Sequence, residues 1–202
     1  MIDPHLLELL RWRRDVRHFR EQPLAPGVLD ALVGAVDLAP SVGLSQPWRL
    51  VLVEEADRRR AIGGLFARCN AGALAAQPAG RTARYARLKL AGLEQAPCHL
   101  AVFADEATGQ GHGLGRRTMP ETLAYSAVMA IHTLWLAARS IGVGVGWVSI
   151  LEPRGVSAIL DVPASWRFIG YLCIGYPAAD SDVPELEREG WERRQPTRLI
   201  RR

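Results

Sequence analysis

The most constraining stretch of the chain runs from Glu121 to Ile141, ETLAYSAVMAIHTLWLAARSI, where apolar residues occupy nearly every side of a helical wheel. A surface helix keeps one polar face, so a helix apolar almost all round is expected to run through the middle of a domain. Gly142 is its natural C-cap, because glycine enters the left-handed region without a Cβ clash. Two apolar runs bounded by turn residues follow, VGVGWVSIL and RFIGYLCIGYP. They are expected as buried strands, with PRGVSAILDVP a short helix between them.

The remaining elements are expected around that helix. Asp3 can cap free amides and Pro4 loses no hydrogen bond in a first turn, so a helix starts there and runs toward Asp15. PGVLDALVGAVDLAP reads as a second helix ended by Pro40, and RLVLVEE and HLAVFAD read as strands. The segment from Asp57 to about Gln95 reads as two helices broken near QPAG, and ATGQGHGLG as a loop. Four strands and about six helices without repeats predict one α+β layered domain over residues 1–202. A chain of 202 residues, 49% hydrophobic and 23% charged, can bury such a core. Cys69, Cys98 and Cys173 are odd in number and far apart, which speaks against a disulfide framework or a zinc site. No apolar run approaches a membrane span and the N-terminus lacks a cleavage pattern, so the expectation is a cytoplasmic protein without a membrane partner.

Chemistry concentrates in two places. Residues 11–20, RWRRDVRHFR, set five arginines around the single carboxylate of Asp15. Such a run is ordinarily a solvated helix face. Yet Arg13, Arg14 and Arg17 fall where the first helix should end, and guanidinium forks match phosphate oxygens. Asp15 among those cations is expected to favour its ionised form and to serve as an acceptor or base, or simply as a salt-bridge partner. The second place is LAPSVGLSQPW, a proline-stiffened connector carrying Ser41, Ser45 and Gln46 before a buried strand. The glycines of GVGVGW lie in the order helix, glycines, strand, the reverse of a dinucleotide fingerprint. They imply a strand whose backbone is closely approached, with room for a flat ring as the other reading. The chain contains no phosphate-loop motif, GxSxG elbow or HxxxH pair, and a net charge of +4 without an aromatic–basic platform gives no case for nucleic acid.

RRDVRHF, APSVGLSQPW, LWLAARSIGVGVGWVSI and GYLCIGYP followed by ELEREGWERRQP together resemble the nitroreductase-like flavoproteins over nearly the whole chain. Asp in RRDVR and Ser in GVGWVSI resemble their 5,6-dimethylbenzimidazole synthase branch. The resemblance implies a nitroreductase-like layered fold, a central mixed, mainly antiparallel sheet flanked by helices, in a homodimer with extended termini and two flavins at the interface. It implies that O2 and reduced FMN, a substrate supplied by a separate flavin reductase, yield 5,6-dimethylbenzimidazole, the lower ligand of vitamin B12, and a four-carbon sugar phosphate. Arg13, Arg14, Asp15, Val16 and Arg17 then match the ribityl and phosphate contacts, with Asp15 the general acid/base. Ser41 and Lys89 match flavin contacts, Gly146, Trp147 and Ser149 lie along the ring, with Ser149 steering oxygen chemistry, and Arg194 reaches the phosphate. ETLA lacks an acidic residue expected just ahead of Tyr125–Ser126, and TRLIRR differs from the acidic, aromatic ends of some relatives. The alternatives are an NAD(P)H-dependent FMN nitroreductase or quinone reductase, and a flavin-binding accessory protein without chemistry.

Overall fold

The structure, a computed structural model, describes residues 1–88 and 91–202. Helix α1 spans Pro4–Trp12, and the Asp3 carboxylate accepts from the amides of His5 at 2.8 Å and Leu6 at 3.3 Å. It stops short of the arginine cluster, because Arg13 is already extended. The chain continues through α2 (Val28–Val36), β1 (Trp48–Leu52), α3 (Ala56–Ala75), α4 (Ala79–Arg87), α5 (Gly92–Gln95) and β2 (Cys98–Asp105). Then come α6 (Thr122–Ser140), β3 (Gly144–Val148), α7 (Pro153–Leu160), β4 (Trp166–Gly175) and α8 (Glu185–Arg188). Among the described residues the four strands are those expected, and the α-helices exceed six by the one-turn helices α5 and α8.

The sheet has the order β1-β2-β4-β3 and every pairing between these strands is antiparallel. Side chains on adjacent strand positions point to opposite faces, which divides the core in two. Leu100, Val102 and Ala104 of β2 with Leu172 and Ile174 of β4 meet Leu32 and Val36 of α2 and Ala127, Ile131 and Leu134 of α6. On the other face Ala101, Phe103, Tyr171 and Cys173 meet Ile62 and Leu65 of α3 and Val156 and Leu160 of α7. The buried Cys98 and Cys173 thiols are pushed up to about 11 and about 12, first by desolvation, which leaves them protonated at neutral pH.

Helix α6 is less enclosed than its composition suggested. Its buried side packs on α2 and the sheet, but Tyr125, Val128 and Met129 are exposed, Tyr125 at 54%. These residues share one stripe of the helix, since positions three and four apart are neighbours.

Strand β3 pairs with β4 on one side only, and the extended segment after α1 covers its other edge. The Val16 amide donates to Val145 O at 3.0 Å, and Asp15 bridges Val145 in parallel. The parallel component of the sheet, among the described residues, is confined to that bridge. Phe19 then bridges Pro177, and the Ala178 amide donates to His18 O at 3.0 Å. A free strand edge is thereby closed by the segment that carries the arginine cluster.

Candidate active site

GVGVGW explains how this segment lies so close. A Cβ on Gly144 would come within 2.7 Å of Val16 Cγ2, and one on Gly146 would collide with the Val16 carbonyl oxygen. Gly144 therefore makes room for the Val16 side chain and Gly146 for its backbone, and Val16 fills the space in which a flat ring was the other expectation. Trp147 lies over Gly170, where a side chain would run into the indole.

Docking against β3 pins Asp15. The Trp147 amide donates to Oδ1 at 2.9 Å, and Arg17 Nε donates to Oδ2 at 3.3 Å. Both oxygens are held, while 36% of the side chain stays open. The expectation that the cations favour the ionised form is corrected. Desolvation is the largest influence on Asp15 and raises its pKa above the ordinary 3.8; the Trp147 amide, Arg17 and Arg13 oppose it without reversing it. The low-dielectric wall of the sheet edge thus outweighs the guanidinium groups, and Asp15 holds a proton more tightly than a surface aspartate does.

The arginines gather around it. Arg13 stacks over Trp135 at 4.9 Å from the ring centroid, and the Trp135 indole N–H donates to Arg14 O at 3.1 Å. Arg14 also donates back to the carbonyl of Arg11. Nε of Arg13 and Nε of Arg14 are buried without hydrogen-bond partners among the described residues. The pKa of both guanidinium groups is lowered from the ordinary arginine value, first by burial and next by the like charge of Arg194. A cleft of about 170 Å³ is lined by Arg13, Arg14, Asp15, Arg17, Leu186 and Arg194, among others. A second, of about 390 Å³, shares Arg14, Asp15 and Arg17 and extends along Val16, His18 and Ser181. Four cations around one cleft, Arg13 and Arg14 each with an orphaned Nε donor, suit the chemistry of a phosphate, and the adjoining space leads past a carboxylate.

Six of the expected site residues thus meet in one place: Arg13, Arg14, Asp15, Val16, Arg17 and Arg194. Trp147 joins them through its backbone amide, and Gly146 by receiving Val16. Ser41 and Ser149 do not line these clefts. Ser149 is exposed just beyond β3, and Ser41 Oγ accepts from the Gln46 amide at 3.1 Å. The Ser41 loop is tied to α6 at Ser126, whose hydroxyl accepts from the Val42 amide at 3.0 Å, whereas Arg13 sits at Trp135. At about 1.5 Å per residue those anchors are roughly 13 Å apart along the helix. Lys89 lies outside the described residues. Sequence reasoning missed Trp135; the one signal was an indole N–H, which needs an acceptor, within an otherwise apolar helix.

The sequence profile described as the nitroreductase family matches residues 10–176, a span that holds the sheet, α6 and the arginine segment. The chain belongs to the nitroreductase family. Among curated relatives, the 5,6-dimethylbenzimidazole synthase of Rhodospirillum rubrum is 60% identical, over 96% of this chain and 92% of its own length. A protein of the same description from Rhodobacter capsulatus is 47% identical, over 98% of this chain and 95% of its own. Of solved structures in this fold, oxidized iodotyrosine deiodinase bound to FMN and 3-iodo-L-tyrosine superposes with a TM-score of 0.75 at 21% identity, covering 98% of this chain and 97% of that one.

If the guanidinium cleft takes a phosphate end, Arg14→Ala loses a charge-assisted contact. FMN affinity is expected to fall about 10- to 100-fold, from about 1.5–3 kcal/mol per such bond, with riboflavin affinity unchanged. Fluorescence titration of both flavins measures this, and an equal loss for both would contradict a phosphate role.

Proposed function

We propose that this chain is a 5,6-dimethylbenzimidazole synthase that fragments reduced FMN with O2 into 5,6-dimethylbenzimidazole and a four-carbon sugar phosphate. The observation that carries the reading is a carboxylate pinned on both oxygens and lining both arginine clefts. The 60% identity to a protein of that description supports it. Reduced FMN, when bound, supplies both the carbon skeleton of the product and the electrons that activate oxygen. The chain's own residues do the rest. Arg13, Arg14, Arg17 and Arg194 hold the phosphate, so the ribityl carbons next to it are presented to Asp15. Asp15, with its raised pKa, takes and returns protons at those carbons, and its anchored oxygens fix the direction of approach. Ser149 donates a hydrogen bond to the flavin ring edge. A separate flavin reductase supplies the reduced flavin.

The unit that does this is a homodimer. In one chain the Ser41 loop and the arginine clefts stand apart, and the stripe Tyr125, Val128 and Met129 on α6 is exposed. A second copy covers that stripe and brings its Ser41 loop toward the flavin. A monomer in sedimentation equilibrium would overturn this arrangement.

The deciding experiment mixes anaerobically reduced FMN with the protein, admits air and separates the products by chromatography. The expected result is 5,6-dimethylbenzimidazole; oxidised FMN and peroxide alone would refute the assignment.

A further inference from the structure

Helix α4 is weakly seated. Its sequence, AGRTARYAR, offers Tyr85 as its one large apolar anchor, and the Tyr85 hydroxyl donates to Asn70 Oδ1 of α3 at 2.8 Å. Beneath it lies a cavity of about 340 Å³ lined by Phe66, Asn70, Leu74, Tyr85 and Leu88. Phe66, Asn70 and Leu74 also line a neighbouring cavity of about 950 Å³ toward α5. Among the described residues this side of α4 faces open space and only part of it packs on α3, so the contacts on its other side help decide where it sits.

Those contacts come from the C-terminal tail. The Trp191 ring meets Tyr85 edge-on at 6.0 Å between centroids, and Arg81 stacks over Trp191 at 5.7 Å. The tail reaches α4 because α8 ends in a tight reversal. Gly190 takes φ +68, its amide donates to Glu187 O at 3.0 Å, and the Trp191 amide donates to Leu186 O at 2.8 Å. The same short segment lines the guanidinium cleft at both ends, through Leu186 before the reversal and Arg194 after it.

We infer that Trp191 is a positioning residue that couples occupancy of the guanidinium cleft to the seating of α4, the segment 185–194 being the strap between them. The inference rests on the cleft's taking a phosphate, as argued under Proposed function. An anion that immobilises Arg194 also immobilises the backbone three residues away, which favours Trp191 docked on Tyr85 and Arg81. Linkage makes the effect reciprocal: a docked Trp191 holds Arg194 ready for the anion, and an undocked one weakens anion binding by the same factor.

The test is hydrogen exchange of peptides covering residues 79–87 in the full-length protein, with and without inorganic phosphate, which reaches the cleft but resembles no other part of a flavin. Phosphate is expected to slow α4 exchange about 10-fold, a typical coupling, in the wild type and in Trp191→Phe, and to leave Trp191→Ala unprotected. Trp191→Ala is also expected to bind FMN about 10-fold more weakly, on the scale of the lost aromatic and cation–π contacts, with riboflavin unaffected. If Arg194→Ala weakens FMN but phosphate leaves α4 exchange unchanged in the wild type, or protects α4 equally in Trp191→Ala, the strap is refuted and the phosphate cleft stands. If Arg194→Ala binds FMN as the wild type does, both fall.

Discussion

If Asp15 is the general acid/base, Asp15→Asn is expected to bind reduced FMN but to form 5,6-dimethylbenzimidazole at least about 100-fold more slowly, the low end of what a positioned general acid/base contributes. The amide oxygen of Asn still accepts from the Trp147 amide, so the segment stays docked and the loss reports proton transfer. The pH profile separates this from mere misplacement. Burial raises the Asp15 pKa, so the wild-type rate, if Asp15 acts as a base, climbs through an inflection above the ordinary 3.8, and the residual rate of the Asn variant lacks it. Stability moves the other way. The folded state binds the Asp15 proton more tightly than the unfolded chain, so its contribution declines as pH rises from 3.8 through the raised value. Asp15→Asn removes that cost. At pH 7 it is expected to melt higher than the wild type by up to about 2–4 °C, the shift that about 1 kcal/mol produces in a chain of this size, with the gap closing toward pH 4. The open edge of the carboxylate limits the gain. A variant that turns over normally, or melts lower at pH 7 than at pH 4 relative to wild type, contradicts a desolvated catalytic carboxyl.

Gly146→Ala is expected to do more damage than its single methyl suggests. The new Cβ would meet the carbonyl oxygen of Val16, which is backbone and has no rotamer in which to retreat. Either β3 and the arginine segment separate, or the strain is borne by the fold at about 3 kcal/mol or more, the upper range of overpacking. Separation breaks the Trp147–Asp15 hydrogen bond and strain distorts it, so melting temperature and product yield fall together. Gly144→Ala is the milder comparison: its closest contact is Val16 Cγ2, which χ1 rotation moves, although Val16 Cβ at 3.1 Å stays in place, and a smaller effect is expected. Wild-type stability and turnover in Gly146→Ala would show that the close approach has no part in holding Asp15.

Both predictions depend on one strand edge, and that edge separates what was readable along the chain from what was not. Local pattern alone located the four strands, the long helix within a residue of each end and the cap at Asp3, because periodicity and capping are properties of neighbouring residues; it carried the first helix on toward Asp15, beyond its end at Trp12. It also raised RRDVR as a candidate phosphate grip beside the ordinary reading of a solvated helix face, and GVGVGW as a place of close approach. It did not say that these two motifs are partners, 130 residues apart, with Val16 lying on the glycines. The sign of the Asp15 pKa shift was likewise out of reach. The cations are written beside it in the chain, whereas the desolvating wall is contributed by β3 and exists only after folding. The exposed stripe on α6 is the remaining case: composition alone made that helix apolar all round, and only the packing of sheet and α2 determined which side a single chain leaves uncovered.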